Sequence, residues 1–238
     1  MGRAFEKRKH KMFARFEKMA KTFTRIGREI SIAVKKSGPD PDGNPRLRMV
    51  MQNAKNVNMP KERVEAAIKK ASSVDEKDFE EVVYEGYAPG GIALLIECAT
   101  NNPVRTVANL RLYFSRHEGS LGKSGSVDYL FERKAIFKIA AENRNVEELE
   151  LELIDFGAEE VYEDEGNIFI YTSFTDYGKM QTGLEGLGIP IVSAELQRIV
   201  QNPVEVPENV MQSVTKLIEV MQEDDDVQLV FHNMKTEA

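Results

Sequence analysis

The sequence has no tryptophan, one cysteine and three histidines among 238 residues. A lone cysteine forms no intramolecular disulfide, so the fold must stand on its apolar cores, as expected in a reducing compartment. One thiol and the scattered His10, His117 and His232 cannot assemble a zinc site. Cys98 closes the apolar run 91–98, which reads as a buried strand, and there it is a small core residue rather than a nucleophile. No apolar run approaches the ~18–20 residues of a membrane span. The N-terminus has no apolar signal-peptide core. It is basic and amphipathic like a transit peptide, but Glu6 and Glu17 argue against that reading. A cytoplasmic protein is expected.

Catalytic signals are equally sparse. Gly122-Lys123-Ser124 looks like the end of a P-loop, but the required first glycine is replaced by His117, and a helix rather than a strand precedes the loop. Asp224, Asp225 and Asp226 read as a polar loop without the ligand spacing of a calcium site. Glu147, Glu148, Glu150 and Glu152 read as helix-surface residues rather than an acid/base pair. The expectation is no enzyme, no metal and no cofactor.

What the sequence does have is charge, unevenly placed. Residues 1–72 hold 19 Lys and Arg against 7 Asp and Glu, net +12; the rest holds 13 against 32, net −19, giving −7 overall. Such asymmetry points to contact with a polyanion. From Phe16 to Val34 the apolar residues Phe16, Met19, Ala20, Phe23, Ile26, Ile30, Ala33 and Val34 follow helical spacing. Lys18, Lys21, Arg25, Arg28, Lys35 and Lys36 fall on the opposite half of that wheel. The helix should stop near Ser37-Gly38-Pro39. A second helix, Pro45 to about Asn56, carries Arg46, Arg48 and Lys55. A third has Pro60 in its first turn and carries Lys61, Arg63, Lys69 and Lys70. Together these make a three-helix bundle whose cations are the candidate nucleic-acid-binding residues, acting by phosphate neutralisation and counterion release. The apolar stripe is needed inside the bundle, so membrane insertion is disfavoured. On this reading, Arg25→Glu with Arg28→Glu should weaken polyanion binding without unfolding the bundle.

After Ser72 the pattern changes. Strands are expected at 79–85 and 92–98, a helix from Val104 to about Arg116 and a strand near Val127–Phe131. From 135 to 200 the order strand, helix, strand, strand, helix, strand is the ferredoxin-like arrangement. Pro203 and Pro207 mark a linker. A helix from Glu208 and a strand 227–233 are too few to fold alone, so they are expected to complete the 73–133 part. The expected class is α+β with three domains: a helical bundle at 1–73, a discontinuous α/β domain at 74–133 plus 203–238, and a ferredoxin-like domain at 134–202. Two glycine-rich loops are candidate functional loops, with Gly86, Tyr87, Pro89, Gly90 and Gly91 in one and Gly119, Gly122 and Gly125 in the other. Glycine there permits either close approach to a partner or simply a tight turn.

Several stretches together carry a family likeness: 23–30 (Phe-Thr-Arg-Ile-Gly-Arg-Glu-Ile), Asn44-Pro-Arg-Leu-Arg48, Asn58-Met-Pro-Lys61, Tyr84-Glu-Gly-Tyr-Ala-Pro-Gly-Gly91 and Asn102-Pro-Val-Arg-Thr106. Gly119-Ser-Leu-Gly122, Gly125-Ser-Val127, Phe131-Glu-Arg-Lys134, Asp225-Asp-Val-Gln228 and His232-Asn233 continue it. In this order, over nearly the whole chain, they resemble the YebC/PmpR family of transcriptional regulators, which includes mitochondrial translational activators. The resemblance implies three domains with an all-helical first one, and DNA binding in some members and ribosome association in others. It implies no enzymatic activity and no cofactor. The family usually opens on a Gly-His-Ser-Lys-Trp type segment; here Gly2-Arg-Ala-Phe5 stands in its place, beside Lys7, Arg8, Lys9 and Lys11.

Two functional readings follow. One is a DNA-binding transcriptional regulator, although no helix-turn-helix signature or dimer element is evident. The other is a translation factor that grips ribosomal RNA by shape and phosphate. A monomer or weak dimer is expected. A ferredoxin-like unit is compatible with many roles and discriminates none of them.

Overall fold

The computed structural model describes residues 3–73, 78–142 and 144–235, with side chains from Met19 onward. Helix α1 spans Arg3–Ser37, α2 Pro45–Asn56 and α3 Lys61–Ala71. Ile26, Ile30, Ala33 and Val34 of α1 are buried against Leu47, Val50, Ala54 and Val64. The turn before α2 is set by one buried amide. Asn44 Oδ1 accepts from Leu47 N at 3.0 Å, capping α2, while its Nδ2 donates to Ala33 O and Gly38 O at 2.8 and 2.9 Å. Pro60 stands at the N-cap position of α3, just before the first turn expected for it, and makes no side-chain capping bond.

Strands β1 (Glu80–Tyr87), β2 (Ala93–Thr100), β3 (Ser120–Leu121) and β8 (Val227–His232) form one sheet in the order β3-β1-β2-β8, with every pairing antiparallel. β8 therefore returns from the far end of the chain to lie beside β2. Helices α4 (Pro103–Arg116) and α7 (Glu208–Glu223) cover one face, where Leu94, Ile96 and Cys98 meet Leu110, Phe114, Val214, Leu217 and Met221. The other face of β2 sends Ala93 and Leu95 against Val127 and Phe131. Burial on both faces explains why this strand reads as a continuous apolar run rather than an alternation.

The second sheet takes β4 (Phe131–Ala140), β5 (Ala158–Asp164), β6 (Asn167–Ser173) and β7 (Ile191–Val200) in the order β5-β6-β4-β7, all antiparallel. With α5 (Val146–Ile154) and α6 (Tyr177–Gly186) this is the ferredoxin-like arrangement. Its edge strand β7 is capped by α2. Gln52 Nε2 donates to Ile191 O at 3.1 Å, Asn53 Nδ2 to Ala194 O at 2.8 Å, and Asn56 Nδ2 to Val192 O. These bonds satisfy carbonyls that an open edge would leave to solvent or to another chain.

One expected strand is absent. Residues Asp128–Leu130 form a 3₁₀ turn, and the strand begins only at Phe131. The cause lies in β1: the buried Glu85 carboxylate accepts from Gly125 N and Val127 N, each at 2.6 Å, and from Asp128 N at 3.0 Å. Amides gathered onto one carboxylate cannot also serve a ladder.

Candidate nucleic-acid interface

The structure divides the sequence-derived cations into two groups. The first faces the acidic part of the same chain. Lys21 pairs with Glu223, and Arg25 donates to Gln222 O at 2.8 Å. Burial pulls the Arg25 guanidinium below its usual range, against the opposing pull of Glu223, Asp225 and Glu29. Lys35 meets Asp78 at 2.9 Å, and Arg46 makes a two-pronged pair with Glu81. Arg48 donates to Pro41 O and Asp42 O at 2.8 and 2.9 Å and lies 3.7 Å from Glu185. Arg28 goes deepest, 13% exposed. It donates to Asp226 Oδ1 and Ala99 O, both at 2.8 Å, and lies over the Phe79 ring at 5.0 Å.

Asp226 is the hub. It is 2% exposed and collects Arg28 from α1, Arg105 Nη2 at 2.6 Å and Thr106 Oγ1 at 2.8 Å from α4, and Thr100 Oγ1 at 3.2 Å from β2. Burial alone would push its carboxyl up, but the bonds from Arg105, Thr106 and Arg28 hold it below the usual carboxylate range. Asp224 beside it accepts from Asn109 Nδ2 and Tyr113 Oη, each at 2.9 Å. Asp224 and Asp226, between α7 and β8, thus form an internal lock, while Asp225 is exposed. Among the described residues no group of three or more His, Cys, Asp or Glu is placed to hold a metal ion.

The basic face of α1 is therefore not the continuous solvent row that its helical wheel predicts. The expectation that Arg25 and Arg28 tolerate charge reversal is corrected. Arg28→Glu would place a carboxylate against Asp226, so the double variant is expected to destabilise the fold itself. A wheel shows which way a side chain points but not what waits there.

The second group is open to solvent. Lys36 at the end of α1, Lys55 near the end of α2, and Lys61, Arg63, Lys69 and Lys70 on α3 are all exposed. Lys61 has Glu65 at 3.5 Å one turn on, and Arg63 lies over the Phe23 ring at 5.6 Å. α3 carries four cations against two carboxylates while burying Val64 and Ala71. The Lys18 side chain, the Gly2–Phe5 tip and Lys7, Arg8, Lys9 and Lys11 lie outside the described side chains.

The glycine loops are occupied by the protein's own atoms. A Cβ on Gly86 would meet Ser120 O at 2.7 Å and the Phe114 ring, and one on Gly119 would meet Tyr87 O at 2.8 Å. Gly90 has φ +74° and packs on Val210, where a Cβ would lie 2.8 Å from its Cγ1; Gly122 packs on Ser126. Tyr87 Oη donates to Ser126 O at 3.0 Å. Pro89 and Gly91 complete a 3₁₀ turn, and Gly125 at φ +84° gives its amide to Glu85. Tight packing against Phe114 and the Glu85 carboxylate accounts for Gly86, Gly119 and Gly125 without an external ligand.

Sequence reasoning missed a cluster of charges where the bundle meets both sheets. Arg198 of β7 reaches Glu97 of β2 at 2.9 Å and Asp128 at 2.7 Å. Beside it, Glu29 of α1 has its carboxyl pushed up to about 7 by burial, against Arg46 and helped by Glu81, Glu195 and Glu97. An acid with a raised folded value binds its proton more tightly when folded. Its penalty is therefore absent below the unfolded value of 4.5 and grows as pH rises from there to about 7. Glu29→Gln is expected to stabilise the protein at pH 8 by roughly 1–2 kcal/mol after solvent screening, and to change little at pH 4.5. Thermal melts at the two pH values check this, and parallel pH profiles for variant and parent would refute it.

Known proteins share this construction. Residues 3–74 match the family model described as the TACO1/YebC protein N-terminal domain, and residues 79–234 match the TACO1/YebC second and third domain. A relative from Cytophaga hutchinsonii, named "Probable transcriptional regulatory protein", is 54% identical over 234 residues, 98% of each chain. One of the same name from Myxococcus xanthus is 50% identical, covering 98% of this chain and all of its own. The crystal structure of a conserved hypothetical protein from Aquifex aeolicus superposes with a TM-score of 0.77 at 41% identity, over 91% of this chain and 90% of that one. No helix of the described residues is long and apolar enough to cross a membrane. With both family models covering the chain almost end to end, and relatives at half identity over their full length, the chain belongs to the TACO1/YebC family.

Proposed function

We propose that this chain is a cytoplasmic regulator of gene expression that acts by binding nucleic acid rather than by catalysis. Its contact surface is the exposed cation set Lys36, Lys55, Lys61, Arg63, Lys69 and Lys70. The observation that carries the reading is the division described above. Among the described residues, Lys21, Arg25, Arg28, Lys35, Arg46 and Arg48 are held by partners in the same chain, while Lys36, Lys55 and the cations of α3 project to solvent. Duplex DNA is the first target of this reading, since the relatives are named as probable transcriptional regulatory proteins.

A second reading, ribosomal RNA, draws on residue type. Of the six exposed cations only Arg63 is an arginine. Lysine is a point charge that neutralises phosphate, whereas base reading in the major groove leans on the arginine fork. A lysine surface fits recognition by backbone and shape.

The test is duplex DNA binding titrated with salt, run beside co-sedimentation with ribosomes. Lys55→Ala, Lys61→Ala and Lys69→Ala combined should reduce the slope of log affinity against log salt by about 2–3, near 0.9 for each phosphate no longer neutralised. An unchanged slope would remove this surface from the interface. Ribosome binding that survives physiological salt while DNA binding collapses would favour the second reading.

A further inference from the structure

The two edges of the ferredoxin-like sheet differ. On β7, carbonyls of the edge are taken by Gln52, Asn53 and Asn56 of α2. β5 stands at the opposite end of the sheet. It is paired with β6 alone, and among the described residues no other segment bonds to its backbone. Alternate N–H and C=O groups of such a strand turn outward, a ready template for a further strand. Natural edges are blunted by lysine, proline or a bulge. β5 has neither lysine nor proline. Its bulge lies at its start, between Ala158 and Glu160, which leaves 160–164 in regular register with β6.

What guards this edge is negative charge. Residues 142–165 hold 11 Asp and Glu against Arg144 alone. Arg144 pairs with Glu142, and Lys134 reaches Glu159 from β4. Among the described residues, Glu160, Glu163 and Asp164 have no cationic partner, and all three are exposed. By alternation, Glu160, Tyr162 and Asp164 share one side of the strand, while Glu163 stands on the side of the buried Val161. Phe169 and Tyr171, the rings that touch Tyr162, both belong to β6 and so lie away from the edge.

We infer that the β5 edge is a docking site for a lysine- or arginine-rich extended segment of another protein, which adds to the sheet as a further strand. Its backbone would complete the ladder. Its side chains, alternating between the two sides, would meet Glu160 and Asp164 on one and Glu163 on the other, with one cation over the outer side of the Tyr162 ring. Charge decides the occupant. A second copy pairing edge to edge would set carboxylates against carboxylates, and the lysine surface of that copy is helical and cannot add a strand. A nucleic-acid strand is repelled by the same carboxylates, whereas a basic chain is drawn in. The site goes beyond the nucleic-acid reading and does not depend on it. It lies at the opposite edge of the sheet from α2 and gives the chain a second contact of opposite sign.

The probe is a synthetic peptide of about eight residues, lysine alternating with threonine, titrated against the full chain at low salt. It should bind, and it should slow hydrogen exchange of the backbone amides at 160–164 while leaving those of β7 unchanged. Glu160→Gln with Glu163→Gln should weaken it about three- to tenfold. Glu208→Gln with Glu219→Gln, the same charge change on exposed residues of α7, should alter it by less than about twofold. Equal losses in the two double variants would reduce the attraction to net charge and overturn the site. So would unchanged exchange at 160–164, or equally tight binding of a fully N-methylated peptide, which keeps the charges but has no backbone donors. Dimerisation of the parent protein that the peptide abolishes would give the edge to a second copy instead. A peptide that does not bind at all would also overturn the site, and the lysine surface would still be read separately by the duplex DNA titration.

Discussion

Asp226→Ala is expected to cost about 3–5 kcal/mol of unfolding free energy and to lower the melting midpoint by on the order of 10 °C. The reason is asymmetry. Alanine removes one carboxylate but leaves the largely buried Arg28 without it, beside Thr106 and Thr100, which also donate to it, whereas the half-exposed Arg105 can turn to solvent. Breaking a buried ion pair costs more than the pair is worth, because the surviving charge remains buried without its partner. Asp226→Asn keeps the shape and an acceptor and should lose less. Sign follows from the depressed carboxyl. Its contribution is present above the ordinary aspartate range and is lost as pH falls through the lowered folded value. Acid should therefore hurt the parent more than the alanine variant. A variant that melts with the parent would show that α1, α4 and β8 are held together by packing alone.

Glu85→Ala is expected to be of similar size, about 2–4 kcal/mol, and local in its effect. One buried carboxylate satisfies the amides of Gly125, Val127 and Asp128, and its removal leaves three backbone donors without that acceptor. Burial pushes this carboxyl up, but the amides of Val127, Gly125 and Asp128 and the Ser126 hydroxyl more than reverse the shift. Hydrogen exchange should quicken first across 119–128, while the ferredoxin-like sheet keeps its protection. Uniform loss of protection across both sheets would mean that the loop supports the whole molecule. The outcome bears on the glycine loop, because Gly119 and Gly122 keep their close approaches only while this anchor holds it.

The chain dictated its local elements through periodicity and breakers. Ile26, Ile30, Ala33 and Val34 sit at helical spacing and are buried in α1, and Asn44 and Pro45 start α2. The alternation Ile168, Ile170, Thr172 marks β6, and Glu165 with Gly166, both at positive φ, turns β5 into it. Neighbouring side chains and backbone preferences suffice for these, so the amino acids in order carry them. Which charges meet did not follow. Arg28 and Asp226 are separated by 198 positions, and Arg198 and Glu97 by 101. A helical wheel treats every outward cation alike, yet packing commits Lys21, Arg25, Arg28, Lys35, Arg46 and Arg48 to internal contacts and exposes those of α3. The missing strand at 128–130 has the same origin, since a carboxylate over forty residues away took the amides a ladder needed. The sequence by itself determined the helices, most strands, the βαββαβ order and the charge asymmetry. Only the tertiary structure decided which cations remain outside, because that depends on which distant segments pack against each other.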